Sequence, residues 1–268
     1  MQSRKLHTGN YYLLILINRF LYNIIKHFGS IFCRNVILEG NLLEYRKNCC
    51  CNHIYLNLYL PLQATISLNK KNKVHLNVES DYPIHGKVNV NIGVQKKEKF
   101  TLALRIPTQI EKMKAYINGE EQEITHKGGY LYIERIWENA DKVTLDFKIE
   151  TKVVKLNNSQ AIVRGPLLFA RDSRFNDGDI DECATIKCNN QGVIQAKIKK
   201  NKTGTFPWIT LTVPAVLGTD LENVENKTPK LINFCDFSSS GNDWNPNGRY
   251  RVWIPQTFHA MSEPYKKY

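Results

Sequence analysis

The chain has 268 residues, seven of them cysteine, and a formal net charge of +12 at neutral pH. This length can bury one large or two modest hydrophobic cores, so stability does not require disulfides, and the odd cysteine count predicts mostly reduced thiols. Lysine and arginine are scattered along the chain, and no aromatic RNP motif or Cys/His finger accompanies them. These features argue against a nucleic-acid partner and favour a solvated basic surface.

Residues 11–28 carry large apolar side chains at helical spacing and predict one helix. Asn18, Arg19 and Lys26 interrupt the apolar run before it reaches the ~20 residues that a membrane span needs, and no cleavage site typical of a signal peptide follows. The sequence thus predicts no membrane span. The sequence does not identify the cellular compartment, although it slightly favours the cytoplasm. Because this helix has little to pack against, we expect the full chain to self-associate and a chain beginning near Asn52 to be more soluble.

Three adjacent cysteines, Cys49, Cys50 and Cys51, lie between this helical stretch and the strand-rich remainder. Contiguous thiols fit no repeating apolar face of a helix or strand, which makes them the foremost candidate reactive group. Zn²⁺ takes about four ligands, of which contiguous cysteines seldom supply more than two, so His53 is the nearest candidate to add a third. A zinc thiolate site, adventitious metal binding and a cluster without metal are the three alternatives.

From Ile54 onward the sequence alternates apolar and polar residues in short runs separated by polar turns, a pattern typical of strands. Asn118-Gly119 and Gly128-Gly129 predict two hairpin turns. We expect an all-β fold, an antiparallel β-sandwich of one or two units preceded by a short helical remnant. The predicted domains are residues 1–53, 54–170 and 171–268. The predicted strands are 54–61, 65–68, 74–78, 87–94, 100–106, 114–117, 123–125, 130–135, 142–149, 160–163, 167–170, 184–186, 193–198, 208–213, 230–234 and 250–254.

An acidic loop offers a second candidate site. It contains Asp177, Asp179, Asp181 and Glu182 around a glycine, a spacing that superficially suggests calcium. The loop lacks the length and the terminal bidentate glutamate of an EF-hand, so a solvated loop is the favoured interpretation.

The tryptophans raise the question of sugar stacking. Trp137 and Trp253 stand in strand-like runs and are predicted to belong to the core. Trp244, in the polar loop 238–247, is the tryptophan that we consider a candidate sugar contact.

An ordered series of short motifs extends over residues 54–255, and its order and spacing are similar to the β-rich half of the family-127 glycoside hydrolases, the β-L-arabinofuranosidases and their relatives. Each motif is weak alone, whereas the series as a whole is specific. The motifs are Ile54 to Pro61, Asp81-Tyr82-Pro83, Gly86-Lys87-Val88, Leu104-Arg105-Ile106-Pro107, Ile117-Asn118-Gly119-Glu120, Gly129-Tyr130, Arg135-Ile136-Trp137, Asp141-Lys142-Val143, Arg164-Gly165-Pro166-Leu167 and Tyr250-Arg251-Val252-Trp253-Ile254-Pro255.

The resemblance implies an enzyme for plant-type carbohydrate, built from an (α/α)6 barrel followed by β-sandwich domains. In the family, three cysteines and a glutamate bind zinc, and one cysteine of an adjacent pair attacks the anomeric carbon. If Cys50 and Cys51 match that pair, Cys50 is the nucleophile and Cys51 a zinc ligand. A match shifted by one residue assigns the pair to Cys49 and Cys50 instead.

The chain departs from the family pattern ahead of the first strand. A helix that follows the cysteine pair in the family has no counterpart here, the Glu-x-Cys ligand motif is absent, and only 48 residues precede the cluster where a barrel needs several hundred. We therefore expect the β portion of such an enzyme, inactive as a single chain and without competently bound zinc, whose missing barrel a partner chain could supply. The alternative is a stand-alone carbohydrate-binding or structural interaction module.

Overall fold

The structure, a computed structural model, describes residues 42–47, 52–69, 72–124, 126–202, 207–218, 228–242 and 245–256. These residues form an all-β fold, as predicted, with two short 3-10 helices, Ser173–Phe175 and Phe237–Ser239. Two compact units divide the described chain between Ile149 and Glu150. The predicted helix 11–28 lies outside the described residues. Within those ranges, no helix has the length and hydropathy needed to cross a bilayer.

The first unit pairs its strands into two sheets, with strand orders β1-β2-β6-β10-β9 and β3-β4-β5-β11-β7-β8. Apolar residues of both sheets form one buried cluster, which includes Ile54 and Leu102 of one sheet and Val90 and Leu145 of the other. This arrangement is the expected sandwich. The strands are β1 Leu43–Lys47, β2 Asn52–Leu56, β3 Leu62–Asn69, β4 Asn72–Ser80, β5 Lys87–Val94, β6 Glu98–Arg105, β7 Met113–Ile117, β8 Glu120–Gln122, β9 His126–Lys127, β10 Tyr130–Trp137 and β11 Asp141–Phe147.

Trp137 anchors one end of this core. Its side chain is fully buried, stacks on Phe100 with ring centroids 5.4 Å apart, and donates a hydrogen bond from Nε1 to the Phe100 carbonyl at 2.9 Å. A buried indole needs such an acceptor, because an unpaired N–H in an apolar core would be costly. The prediction that Trp137 belongs to the core is confirmed.

Two strand pairings in the first unit differ from the predicted pattern. Residues 43–47, assigned from sequence to the helical remnant, form β1 and pair with β2, so a chain beginning at Asn52 would lack this edge strand. β2 then runs parallel to β6, whereas an antiparallel sheet was predicted throughout. Strand direction depends on which distant segment a strand meets, and the alternation of apolar residues is the same in both cases.

The Asn118-Gly119 hairpin forms as predicted but returns earlier than predicted. Both turn residues have positive φ, at 53° and 93°, so the chain reverses in two residues and β8 begins at Glu120. The return was predicted at residues 123–125.

The second unit is built on one nine-stranded sheet, ordered β12-β13-β14-β18-β17-β15, with β16 on β17, β19 on β14 and β20 on β13. The predicted domain division between residues 170 and 171 falls inside β14. The predicted strand 250–254 is interrupted, and the partly buried Trp253 stands in the interruption. The strands are β12 Thr151–Leu156, β13 Ser159–Arg164, β14 Leu167–Asp172, β15 Ala184–Ile186, β16 Lys197–Lys200, β17 Ile209–Leu217, β18 Lys230–Asp236, β19 Tyr250–Arg251 and β20 Ile254–Pro255.

Candidate functional site

The predicted zinc-binding and catalytic residues Cys49, Cys50 and Cys51 lie outside the described residues, between β1 and β2. Their roles therefore stay predictions. His53, the nearest candidate for a further ligand, stands on β2, where its ring stacks on Tyr55 with centroids 6.2 Å apart. Its Nδ1 is buried without a hydrogen-bond partner. An unprotonated imidazole nitrogen can accept a hydrogen bond or bind a metal.

The thiols that the structure describes belong to the second unit. Cys183, Cys188 and Cys235 are free, as the prediction of reduced cysteines requires for these three. No three His, Cys, Asp or Glu side chains of the described ranges converge as a metal site. Burial raises the pKa of the Cys235 thiol well above its usual range, and the nearby Asp172 and Asp236 add to the effect, so this thiol is not a nucleophile at neutral pH.

A group of tyrosines occupies the outer face of the sheet that contains β2. Tyr55 of β2 and Tyr132 of β10 both stand opposite Ala103 of β6 in the strand register. Tyr130 lies two residues before Tyr132 on the same face of β10, because successive side chains alternate across a strand. We call Tyr55, Tyr130 and Tyr132 the tyrosine face.

The three rings lie at nearly equal separations. The centroid of Tyr55 is 5.5 Å from that of Tyr130 and 6.3 Å from that of Tyr132, both in edge-to-face geometry. Tyr130 and Tyr132 are 6.2 Å apart and tilted by 48°. Ala103, between the strands that carry the rings, is fully buried, whereas Tyr132 is 39% exposed. The small alanine side chain leaves room for the rings above it.

Polar groups surround the tyrosine face. The hydroxyl of Tyr130 donates to Oδ1 of Asn57 at 2.7 Å. His53 and Glu134 both stand opposite Thr101 in the register, one row along the same face. The Lys99 ammonium, 2.7 Å from the Glu134 carboxylate, lowers the pKa of that carboxyl, so it is ionised at neutral pH. The face thus combines apolar rings with hydrogen-bonding groups at its rim.

Aspartates of the acidic loop in the second unit form ion pairs with arginines. Arg249 lies 2.6 Å from Asp181 and 3.8 Å from Asp179, and Arg251 also pairs with Asp181. Asp177 accepts hydrogen bonds from the backbone and side chain of Asn233. These partners account for three of the four predicted carboxylates, and two arginines of a distant segment offset part of the loop's negative charge.

Beneath this loop lies a buried charge that sequence reasoning did not identify. Arg171, the residue before the last of β14, is 1% exposed, and its three guanidinium nitrogens make no hydrogen bond. Its nearest described counter-charge is Asp177, at 3.9 Å. Gly178 closes over it, since a Cβ at that position would stand 2.6 Å from Nη2 of Arg171. The sequence signal that could have revealed this buried charge is the pair Arg171-Asp172, which directly follows the apolar run of β14.

Two buried carboxylates lie near this arginine and cap turns: Asp172 follows it on β14, and Asp236 ends the neighbouring strand β18. Burial alone would raise the pKa of Asp172, but hydrogen bonds from the side chain and backbone of Arg174 and from the backbone of Gly241 hold it below its ordinary value. Burial does raise the pKa of Asp236, although Ser238, Ser239 and the Ile209 backbone donate to it. Each carboxylate accepts from donors two or three residues further along the chain and from one distant backbone N–H, so both cap a turn and tie it to a neighbouring segment.

Comparison with known proteins shows what the first unit resembles. Residues 53–149 match the family model described as the β-L-arabinofuranosidase GH127 middle domain. Among solved structures, a GH127 β-L-arabinofuranosidase from Geobacillus stearothermophilus T6 aligns at 21% identity with a TM-score of 0.61, covering 79% of this chain and 34% of that chain. A comparison with curated protein sequences finds no match.

Two further solved structures give the same result. A glycoside hydrolase aligns at 22% identity with a TM-score of 0.57, covering 76% of this chain and 36% of its own. A GH127 β-arabinofuranosidase aligns at 21% identity with a TM-score of 0.54, covering 76% and 35%. This chain thus spans about a third of the length of the solved enzymes, and at these identities the likeness concerns the fold. The resemblance found in the sequence is confirmed: residues 53–149 match the family-127 middle-domain model, within a chain that shares the fold of part of these enzymes.

Proposed function

We propose that this chain is the β-sandwich portion of a β-L-arabinofuranosidase-like glycoside hydrolase for plant-type carbohydrate, and that it does not hydrolyse glycosides as a single chain. The match of residues 53–149 to the middle domain carries the proposal. The resemblance assigns the chemistry of the family to a helical barrel and its zinc thiolates. The matched residues form the sandwich of the first unit, so they supply a domain of the enzyme other than that barrel.

The test is an assay of the purified full chain on p-nitrophenyl arabinofuranosides, with zinc and a reductant. We expect no turnover above the background of a heat-denatured sample. Cys50→Ser is the informative variant, and Cys188→Ser is its matched control because Cys188 is an exposed free thiol of the second unit. Robust hydrolysis that Cys50→Ser abolishes and Cys188→Ser preserves would contradict the proposed inactivity.

A partner chain that supplies the barrel is part of the same proposal. Its test is reconstitution: the neighbouring reading frame, if it encodes the helical barrel, is expressed alone and together with this chain. We expect hydrolysis from the pair that exceeds the activity of either chain alone. Activity of the barrel that is indifferent to this chain would contradict the partnership.

The second candidate function is a stand-alone carbohydrate-binding module. The tyrosine face favours it, because rigid aromatic rings with a polar rim suit a ligand that has both apolar and hydroxylated surfaces. Trp244, predicted from sequence as a sugar contact, lies outside the described residues, and its role stays a prediction. A screen against plant oligosaccharides tests this function, with Trp244→Ala expected to weaken any affinity that depends on its loop. A screen without hits would leave a structural role.

A further inference from the structure

We propose that the tyrosine face is a saccharide-binding site that takes one ring of a neutral oligosaccharide, with Tyr132 as its stacking platform. The inference rests on the carbohydrate class in the proposed function and goes beyond it by assigning the residues. Tyr132 is the most exposed of the three rings, at 39%, and stands on β10 opposite Ala103 of the central strand β6.

The site is rigid before any ligand arrives. Residues that alternate with the tyrosine face along β2, β6 and β10 belong to the buried core cluster, among them Leu56, Leu102 and Leu131. The strands are therefore anchored from behind, and each tyrosine has only two side-chain torsions to restrict. A ligand that binds such a surface causes little loss of conformational entropy on the protein side.

The chemistry of the face matches a sugar ring. A sugar has C–H groups on its ring faces and hydroxyls along its edge, so it needs an aromatic surface beside donors and acceptors. The ring centroids are 5.5, 6.2 and 6.3 Å apart, so the three rings contact one another and form one continuous aromatic surface. The Tyr130 hydroxyl with its partner Asn57 and the exposed carboxylate of Glu134 stand at its edge for the hydroxyls.

The same features disfavour other ligands. The Glu134 carboxylate and the Lys99 ammonium lie 2.7 Å apart and offset each other's charge, so this pair offers no net positive charge to hold a phosphate or another anion. A stable protein interface buries about 1,000 Å2 or more and has an apolar centre, whereas two charged residues stand on this face beside the rings, Glu134 opposite Thr101 and Arg105 opposite Tyr130. A small neutral ligand with many hydroxyls fits this combination best.

The experiment titrates the full chain with arabinotriose, xylotriose and cellotriose by isothermal calorimetry. We expect at least one to bind, and Tyr132→Ala to raise its Kd about tenfold, whereas Tyr132→Phe retains the ring and most of the affinity. Tyr250→Ala is the matched control, because Tyr250 is a 48% exposed tyrosine of the second unit. Each variant is first checked for unchanged cooperative unfolding.

A second measurement uses the unmodified chain, in case Tyr132→Ala disturbs the fold. Saturation of the sugar protons should transfer to tyrosine ring protons of this face. No binding of any of the three sugars, or affinity unaffected by Tyr132→Ala, would overturn the inference. Loss of self-association in Tyr132→Ala without sugar binding would also overturn it and indicate a protein interface. None of these outcomes bears on the arabinofuranoside assay, so the two proposals fail separately.

Discussion

The two units bury different chemistry. Between residues 42 and 149, the buried polar or charged side chains of the described residues are Asn72, Thr101 and Asp141, and the core is otherwise apolar. The unit from Glu150 onward buries Arg171, Asp172 and Asp236 in adjacent strands, together with Thr151, Gln160 and Ser239. The first unit is thus stabilised by burial of alternating apolar residues, whereas the second also depends on how well its buried charges are satisfied.

A close-packed glycine in each unit illustrates the difference. A Cβ on Gly86 would stand 1.8 Å from the carbonyl oxygen of Phe147, so the residue that leads into β5 meets the end of β11 through its backbone. Gly178, with φ of 138°, instead closes its loop against the guanidinium of Arg171. Backbone packing follows from strand pairing, while the second contact requires a buried charge and a loop conformation that favours glycine.

The largest effect should come from the aromatic anchor of the first unit. Trp137→Ala removes a fully buried indole and leaves the Phe100 carbonyl without its donor, so we expect a loss of about 4 kcal/mol in the free energy of unfolding. Hydrogen exchange read strand by strand should show the loss in β1 to β11. Ile136→Ala, the neighbouring residue with 57% exposure, is the control and should cost little. Equal losses from both variants would show that the indole is not the anchor.

A second prediction compares the removal of the buried arginine with the removal of its counter-charge. Asp177→Asn leaves the Arg171 charge buried without a counter-charge, so we expect a loss of about 3 kcal/mol. Arg171→Met removes the charge and fills a similar volume, while Asp177 keeps its hydrogen bonds from Asn233, so its effect should lie within about 1 kcal/mol of zero or be stabilising. Urea unfolding of both variants measures this contrast. A larger loss from Arg171→Met than from Asp177→Asn would contradict it.

The third and smallest effect depends on pH. Asp172 has a lowered pKa in the folded chain, so its stabilisation is present above the unfolded value of about 3.9 and is lost as the pH falls through the folded value. We expect Asp172→Asn to cost about 2 kcal/mol at pH 7 and progressively less below about pH 4.

Urea unfolding at a series of pH values from about 3 to about 7 measures the difference between Asp172→Asn and the unmodified chain. Asp236 has a raised pKa and opposite pH dependence, but it is present in both proteins and cancels in the difference. Asp179→Asn is the control, because Asp179 is exposed and its ion pair with Arg249 lies at the loop surface. A difference that is constant with pH would refute the role of the Asp172 charge.

Prediction from the sequence was most accurate for strands that the alternation of apolar and polar residues marks by itself. The strand 87–94 and the strand 184–186 were predicted with their observed bounds, because apolar residues alternate cleanly between well-marked turns. The tyrosine face was missed, since Tyr55 and Tyr132 are 77 positions apart (132 minus 55) and meet only through the parallel pairing of β2 with β6. The arginine partners of the acidic loop were missed for the same reason.

The sequence by itself determined the all-β class, the order of most strands, the burial of Trp137 and the resemblance to family 127. These depend on local alternation, turn residues and motif order, all of which are written along the chain. Tertiary structure alone decided the direction of β2, the place of residues 43–47 in the sheet, and the burial of Arg171. Each of these depends on which remote segment lies alongside, because strand pairing joins residues through backbone hydrogen bonds that carry no side-chain signature.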